Sequence, residues 1–288
     1  LEKEIAELDE ILKSKARIKT IIVKELKSIA EKYGQPRKSI IIYDDVARYE
    51  EETVEIPDYP VNLFFTKEGY FKKITPQSLR MSGEQKLKDG DEIIQELEFT
   101  NNCDLLFFTD KCQVYKAKAD DFAQTKASVL GDYVAAKLGF DEGENAVKMV
   151  VTKDYKGMLL FAFENGKAAK VPLESYATKT NRKKLTGAYS DKSPLVGLLY
   201  MPEDEEVLFK ASSGNMLLVH TGALALKTTR STQGVAVLKP KKGHRLFSIE
   251  RYKDGTFTNP KRYRTGSLPA RGALPVNDDS KDEQLSLI

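Results

Sequence analysis

The stretch Leu63-Phe64-Phe65-Thr66-Lys67-Glu68-Gly69-Tyr70-Phe71-Lys72-Lys73-Ile74 decides the fold. It holds an apolar run, a polar turn closed by glycine, and a second run dotted with lysine. Three further copies follow. They are Leu106-Phe107-Phe108-Thr109-Asp110-Lys111-Cys112-Gln113-Val114-Tyr115-Lys116, then Leu160-Phe161-Ala162-Phe163-Glu164-Asn165-Gly166-Lys167-Ala168-Ala169-Lys170-Val171, then Leu208-Phe209-Lys210-Ala211-Ser212-Ser213-Gly214-Asn215-Met216-Leu217-Leu218-Val219. Each reads as two short antiparallel strands, with a turn residue that supplies the positive φ a tight hairpin requires. The turns lie 43 to 54 residues apart, counted between Gly69, Cys112, Gly166 and Gly214.

After each hairpin come a polar, Gly-containing loop and a further apolar segment. Those segments are Ile93 to Phe99, Ala146 to Val151, Leu195 to Met201 and Leu246 to Tyr252. A unit of that length with this content supplies about four short strands, which is one blade of a propeller-like array. One blade cannot bury both of its faces, so consecutive blades must stack. The expected fold is mainly β, with about four to five four-stranded blades over residues 61–252.

Working outward, residues 1–36 carry Leu1, Ile5, Leu8, Ile11, Leu12, Ile18, Ile22, Leu26 and Ile29 at helical spacing, which predicts one long helix to about residue 33, ended by Gly34 and Pro36. The narrow stripe suits an antiparallel coiled-coil arm or a helix packed on its own domain, and periodicity alone leaves both open. Residues 37–60 hold a strand candidate, Ser39 to Tyr43, and an acidic linker closed by Pro57 and Pro60. From Lys253 to Ile288, repeated Gly and Pro break any periodicity and predict a flexible tail. Lys261, Arg262, Arg264 and Arg271 around Tyr263 make a nucleic-acid-touching arm the alternative for that segment.

The chain has 288 residues, a net charge of +3 and two cysteines. Cys103 and Cys112 form no disulfide framework, which points to a reducing cytoplasm. No membrane span or signal peptide is expected. The first residue is Leu inside a helical pattern, so the chain reads as part of a longer protein. The near-balanced charge is unevenly spread. Val61 to Asp110 holds six Lys or Arg against nine Asp or Glu, whereas Val207 to Ile249 holds no carboxylate. Cations at matching positions of successive blades would form a stripe that follows a phosphate backbone. The candidate DNA contacts are Lys72, Lys73, Arg80 and Lys86 in the first blade and Lys116 in the second. Lys170, Lys179, Arg182, Lys183 and Lys184 come from the third, and Lys227, Arg230, Lys239, Lys241, Lys242 and Arg245 from the fourth. Lysine with neighbouring Ser, Thr and Gly, as in Lys227-Thr228-Thr229-Arg230-Ser231-Thr232-Gln233-Gly234, positions phosphates without reading bases.

Catalysis finds little support. His220 and His244 have no nucleophile motif beside them, no Walker loop occurs, and Glu203-Asp204-Glu205-Glu206 reads as a solvated turn.

The order of these parts resembles the C-terminal region of the A subunit of bacterial type IIA topoisomerases, DNA gyrase and topoisomerase IV. The resemblance begins at Ile29-Ala30-Glu31-Lys32-Tyr33-Gly34 and Pro36-Arg37-Lys38-Ser39-Ile40. It continues through the Phe-Phe-Thr-x-x-Gly hairpins to Arg230-Ser231-Thr232-Gln233-Gly234-Val235. It implies a β-pinwheel whose outermost strands are exchanged between blades and whose basic rim binds and bends double-stranded DNA. It also implies that the DNA-cleaving tyrosine lies upstream of this chain, and that ATP and Mg serve the full enzyme and not this part. The implied partners are the A subunit's N-terminal core, a second A subunit, and the B subunit that carries the ATPase, in a nucleoid-associated cytoplasmic enzyme. Gyrase carries a Gln-Arg-Arg-Gly-Gly-Lys-Gly box in its first blade; here the loop reads Leu79-Arg80-Met81-Ser82-Gly83-Glu84-Gln85-Lys86. That loop, the acidic first blade and the count of four clear hairpins favour a topoisomerase IV-like subunit that relaxes and decatenates. The alternatives are a gyrase A domain that wraps DNA, and a propeller-type protein-interaction module. A structural reading, in which the arm helix dimerises and the blades are spacers, stays beside them.

Overall fold

The computed structural model describes residues 1–35, 56–178 and 183–276, and divides into two compact units, 1–54 and 55–288. The expected strand at Ser39 to Tyr43 and most of the acidic linker lie outside the described residues.

In the first unit the helical pattern is realised as two helices, α1 (Glu2–Lys13) and α2 (Lys15–Tyr33), where one was expected. Ser14 breaks the run. Its backbone is extended at φ −117° and ψ 103°, and its side chain accepts a hydrogen bond from the Arg17 amide. A serine hydroxyl competes for backbone amides in this way and so favours a cap over a helix interior. The Arg17 guanidinium spans the break to Glu10 at 2.7 Å. No residue of either helix is buried.

The second unit is four blades. The first is built on β1 (Pro60–Thr66), β2 (Tyr70–Ile74) and β3 (Ile93–Thr100). The second uses β4 (Asp104–Thr109) and β5 (Gln113–Lys118), followed by the short β6 (Asp132–Tyr133) and then β7 (Ala146–Thr152). The third uses β8 (Met158–Phe163), β9 (Lys167–Pro172), β10 (Lys184–Thr186) and β11 (Leu195–Met201). The fourth uses β12 (Glu206–Ala211), β13 (Met216–His220), β14 (Val235–Ala236) and β15 (Leu246–Arg251). Sheet orders are β3-β1-β2-β6, β10-β5-β4-β7, β11-β8-β9-β14 and β13-β12-β15. The outer strand of each of the first three blades therefore comes from the chain of the next one. That is the exchange the resemblance implied.

Side-chain alternation explains why each hairpin is a continuous apolar run. Leu63 and Phe65 point into a core shared with Leu105 and Phe107, while Phe64 points to the other face. Leu106 and Phe108 point into the next core with Leu159 and Phe161, and Leu160 and Ala162 into a third with Val207 and Phe209. Every blade is thus buried on both sides, and each Phe or Leu so enclosed stabilises the stack by about 1.5–3 kcal/mol.

The stack has two exposed ends, and each is covered. On the first blade, Leu79 and Ile93 lie over Phe64, Ile74 and Ala127. On the fourth, Phe257 and Tyr263 are buried against Leu208, Met216 and Leu218. The expectation of a flexible tail from residue 253 is corrected as far as Val276. Met216 and Ala273 exchange backbone hydrogen bonds at 2.8 and 2.9 Å, and the Leu218 amide donates to the Tyr263 carbonyl at 2.8 Å. This segment takes the place on β13 that an exchanged strand takes on the earlier blades, and it covers the apolar face of a terminal repeat. Residues 277–288 lie outside the described part.

Candidate nucleic-acid interface

Four residues after each turn glycine or its equivalent stand Lys73, Lys116, Lys170 and Leu218. The three lysines point inward. Lys73 Nζ donates to Asn101 Oδ1 at 2.6 Å and the Ala119 carbonyl at 2.7 Å. Lys116 Nζ donates to the Tyr176 carbonyl and Thr178 Oγ1, both at 3.1 Å. Lys170 Nζ donates to Asp204 Oδ1 at 2.9 Å and the Thr221 carbonyl at 2.8 Å. The carbonyls of Ala119, Tyr176 and Thr221 belong to single 3-10 turns, Ala119–Asp121, Leu173–Tyr176 and Thr221–Ala223, each in the following blade. These lysines are clamps between blades. Leu218 stands where no further blade follows among the described residues, and packs on the capping segment instead.

The expectation that Lys72, Lys73, Lys116 and Lys170 lie on a basic rim is therefore corrected. Lys72, buried like Lys73 and Lys170, donates to Gln85 Oε1, the Lys86 carbonyl and the Ala127 carbonyl at 3.1, 2.6 and 3.3 Å. Burial pushes the ammonium groups of Lys72, Lys73 and Lys116 below the usual lysine range. A charge in such a place needs several acceptors of its own, which these have.

Several of the remaining candidates lie on the exchanged segments, Lys227 and Arg230 half-exposed and Lys183 exposed. In the fourth blade's chain, the Lys227 amide donates to the Lys170 carbonyl at 2.8 Å, which lays Lys227 to Ser231 along the third blade. Gly234 follows with φ +71°, its Cα so close to β9 that a Cβ would overlap the Ala168 carbonyl oxygen. Gly131 and Gly272 stand in the same relation to the carbonyls of Phe71 and Met216. Thr228, Thr229, Arg230 and Ser231 face Ser175, Thr186 and Gly187 across an open groove. Arg230 is held half-buried there, Nη1 donating to the Ser175 carbonyl at 3.2 Å and the guanidinium 5.7 Å from the Tyr176 ring centre. Hydroxyls, a glycine backbone and one guanidinium make a donor-rich lining suited to phosphate oxygens.

Lys183, three residues before Thr186 in the chain, is exposed, and its carbonyl accepts from the Lys116 amide at 2.7 Å. Lys184 is tied to Asp141 at 2.7 Å. Their shared hydrogen bond holds the Asp141 carboxyl below, and the Lys184 ammonium above, its ordinary range. Lys179 and Arg182 lie outside the described residues.

Beyond the groove the same chain forms a basic loop at the hairpin tips of the third and fourth blades. The Lys239 amide donates to the Ala270 carbonyl, and the His244 amide to the Lys241 carbonyl across a turn containing Gly243 at φ +82°. Arg245 is pinned by its amide to Ser212 Oγ at 3.0 Å and by an ion pair with Glu164 at 3.1 Å. Lys239, Lys241 and Lys242 are placed at this loop, Lys241 and Lys242 fully on its outer side. In the first blade Arg80 and Lys86 are both exposed, with exposed Glu84 between them.

Sequence reading missed Lys126, on the segment that runs along the first blade. The Thr125 amide donates to the Lys73 carbonyl just as that of Lys227 does to Lys170. The signal was the spacing to Gly131, which matches the approach to Gly234 to within about two residues. The acidic run is more than a solvated turn: Asp204, Glu205 and Glu206 pair with Lys170, Arg251 and Arg264 at 2.9, 3.0 and 2.6 Å. Arg264 is thereby engaged within the protein, while Lys261 and Arg271 are exposed. His220 Nδ1 accepts from the Gly222 amide, and His244 Nδ1 lies 3.3 Å from Ser212 Oγ. Among the described residues no group of three His, Cys, Asp or Glu is placed to hold a metal ion, and no helix is long and apolar enough to cross a membrane.

No family model matches the chain. It is 27% identical over 274 residues to the DNA gyrase A subunit of Streptomyces coelicolor and 25% identical over 296 residues to that of Metamycoplasma arthritidis. These alignments cover 89% and 96% of this chain, which spans about a third of the relatives' length, 32% and 33%. A crystal structure of the C-terminal domain of DNA topoisomerase IV superposes with a TM-score of 0.60 at 24% identity, covering 69% of this chain and 63% of that one. The DNA gyrase A C-terminal domain superposes at 0.51 and 18% identity, covering 75% and 76%. The likeness in structure establishes the fold, and the likeness in sequence runs through nearly the whole chain. The resemblance first read from the hairpins and the exit of the helix is matched by these likenesses: the chain is similar in sequence to DNA gyrase A subunits and has the fold of the C-terminal domains of topoisomerase IV and DNA gyrase A, a β-pinwheel of four blades.

Proposed function

We propose that the blades bind duplex DNA along the exchanged segments of the second to fourth blades, as a non-catalytic domain of a type II topoisomerase A subunit. The observation that carries this reading is the groove of Thr228, Thr229, Arg230, Ser231, Ser175 and Thr186, with exposed Lys183 three residues before Thr186 and exposed Lys239, Lys241 and Lys242 further along the chain that lines it. It lies largely in a stretch with no carboxylate from Val207 to Ile249. In the whole enzyme the domain presents a duplex to a cleavage core whose tyrosine lies on another part of the subunit, while ATP is hydrolysed by the B subunit. Its output is topoisomerase IV-like relaxation and decatenation, because the Arg80 to Lys86 loop carries Glu84 and too few cations to hold a wrap. Gyrase-type wrapping is the second reading, favoured by the likeness in sequence to DNA gyrase A subunits.

Filter binding of random-sequence duplex at several salt concentrations tests the first part. With about six phosphates neutralised, affinity falls by about five powers of ten for each tenfold rise in salt. Absence of salt-sensitive binding would leave a protein-interaction module. A ligation assay of relaxed plasmid separates the two enzyme readings: a sizeable change in linking number means wrapping.

A further inference from the structure

In every blade the pairing between the first hairpin strand and the inner strand slips by one residue at the tip end. The residues passed over are Ile94, Val147, Val196 and Phe247. A β-bulge of this kind turns the extra side chain away from the ladder. In the first three blades the residue is β-branched and aliphatic, and Val147 and Val196 line one cavity with Lys148, Leu199 and Ile249. The fourth blade differs. Its bulge carries an aromatic ring 68% exposed, against 40% for Ile94 and 39% for Val147.

The surroundings of Phe247 also differ. It follows closely on Lys241-Lys242-Gly243-His244-Arg245, the pinned basic loop, within the stretch that holds no carboxylate. Around Ile94 the chain is acidic, with Asp91, Glu92, Glu96 and Glu98. A large apolar side chain that stands out from a cationic loop fixed by Ser212 and Glu164 meets the chemistry of a duplex. Phosphates bind the cations, and an unstacked base step takes the ring.

We propose that Phe247 is a wedge that enters a base step of the bound duplex and kinks it, at flexible pyrimidine–purine steps above all. This rests on the DNA-binding reading. A protein partner with an acidic, apolar surface is the competing occupant, and the one-sided charge of the loop next to a groove lined for phosphate favours DNA.

The test uses the whole chain, a duplex labelled at both ends for energy transfer, and 2-aminopurine at a central TA step. Wild type, Phe247→Ala, Phe247→Leu and Lys241→Gln/Lys242→Gln are compared, with thermal unfolding as the folding control. Phe247→Ala is expected to lose the bend and the 2-aminopurine signal, and to bind intact duplex about tenfold more weakly. It keeps the wild-type salt slope and binds a nicked duplex, which kinks without a wedge, within about twofold of wild type. Phe247→Leu retains most of the bend. The lysine pair instead loses affinity for both duplexes and lowers the salt slope. If Phe247→Ala bends DNA as wild type does, the wedge is overturned and the ring is left as a protein contact. If wild type binds no duplex at all, the DNA-binding reading itself fails, a result distinct from the first.

Discussion

Lys170 in the third blade lies 2.9 Å from Asp204, at the entry to the fourth, and the lysine side chain is 5% exposed. This contact joins two units of the repeat through a residue that, in sequence, looks like one more surface lysine. It also settles which lysines are available to a partner. A clamp cannot leave its carbonyls without stranding them.

Lys170→Met should therefore destabilise the fold by about 2–3 kcal/mol, less than the 3–5 expected for breaking a fully buried pair, because Asp204 is 35% exposed. DNA affinity per folded molecule should stay unchanged. Urea unfolding beside filter binding separates the two effects.

Acid should loosen the same junction. Burial alone would raise the Asp204 carboxyl, but hydrogen bonds from Lys170 and Thr221 outweigh it and hold it below its ordinary 3.8. Arg264 holds Glu206 below its ordinary 4.5. Carboxyls depressed in the folded state contribute stability that is present above those ordinary values and lost as pH falls through the folded ones. Urea midpoints should be flat from pH 7 to about 5 and drop below about 4. Asp204→Asn with Glu206→Gln should flatten that drop.

The exchanged strand should depend on Gly234. Alanine there must adopt φ +71° with its Cβ driven into the Ala168 carbonyl oxygen. Gly234→Ala is expected to cost at least about 1–3 kcal/mol and to release Lys227 to Ser231 from the third blade. Amide exchange at Lys227 and Leu238 reads this directly.

Asp141, paired with Lys184 at 2.7 Å, should compete with a bound phosphate for it. Asp141→Asn should tighten duplex binding by about two- to fivefold at low salt and steepen the salt slope by about one unit. The gain should vanish when Lys184→Gln is added. A gain that persists in the double variant would place the effect elsewhere.

Lys227→Glu with Arg230→Glu should weaken binding to all duplexes alike, by at least about a hundredfold at low salt, measured per folded molecule because Arg230 also bonds the Ser175 carbonyl. A strongly sequence-dependent loss would indicate base readout and overturn a backbone-only groove.

The repeat was legible because its signals are local. Each hairpin carries its own turn residue and its own apolar run, and the inner strands Ile93–Thr100, Ala146–Thr152, Leu195–Met201 and Leu246–Arg251 fall where the pattern placed them. The charge asymmetry that points to a duplex is likewise a property of the chain.

The direction of each lysine is not. Lys73, Lys116 and Lys170 sit on strands buried on both faces, so whether an ammonium meets water or a carbonyl depends on a 3-10 turn in the following blade, tens of residues away. The capping role of Phe257 and Tyr263 escaped for the same reason: Gly- and Pro-rich chain has no period, and only the uncovered apolar face of the last blade gives it a place to pack. Sequence alone settled that there are blades and that their charge is one-sided. Tertiary structure decided which cations bind the blades together and which are left for a partner, because burial of a charge is set by contacts across blades and not by spacing along the chain.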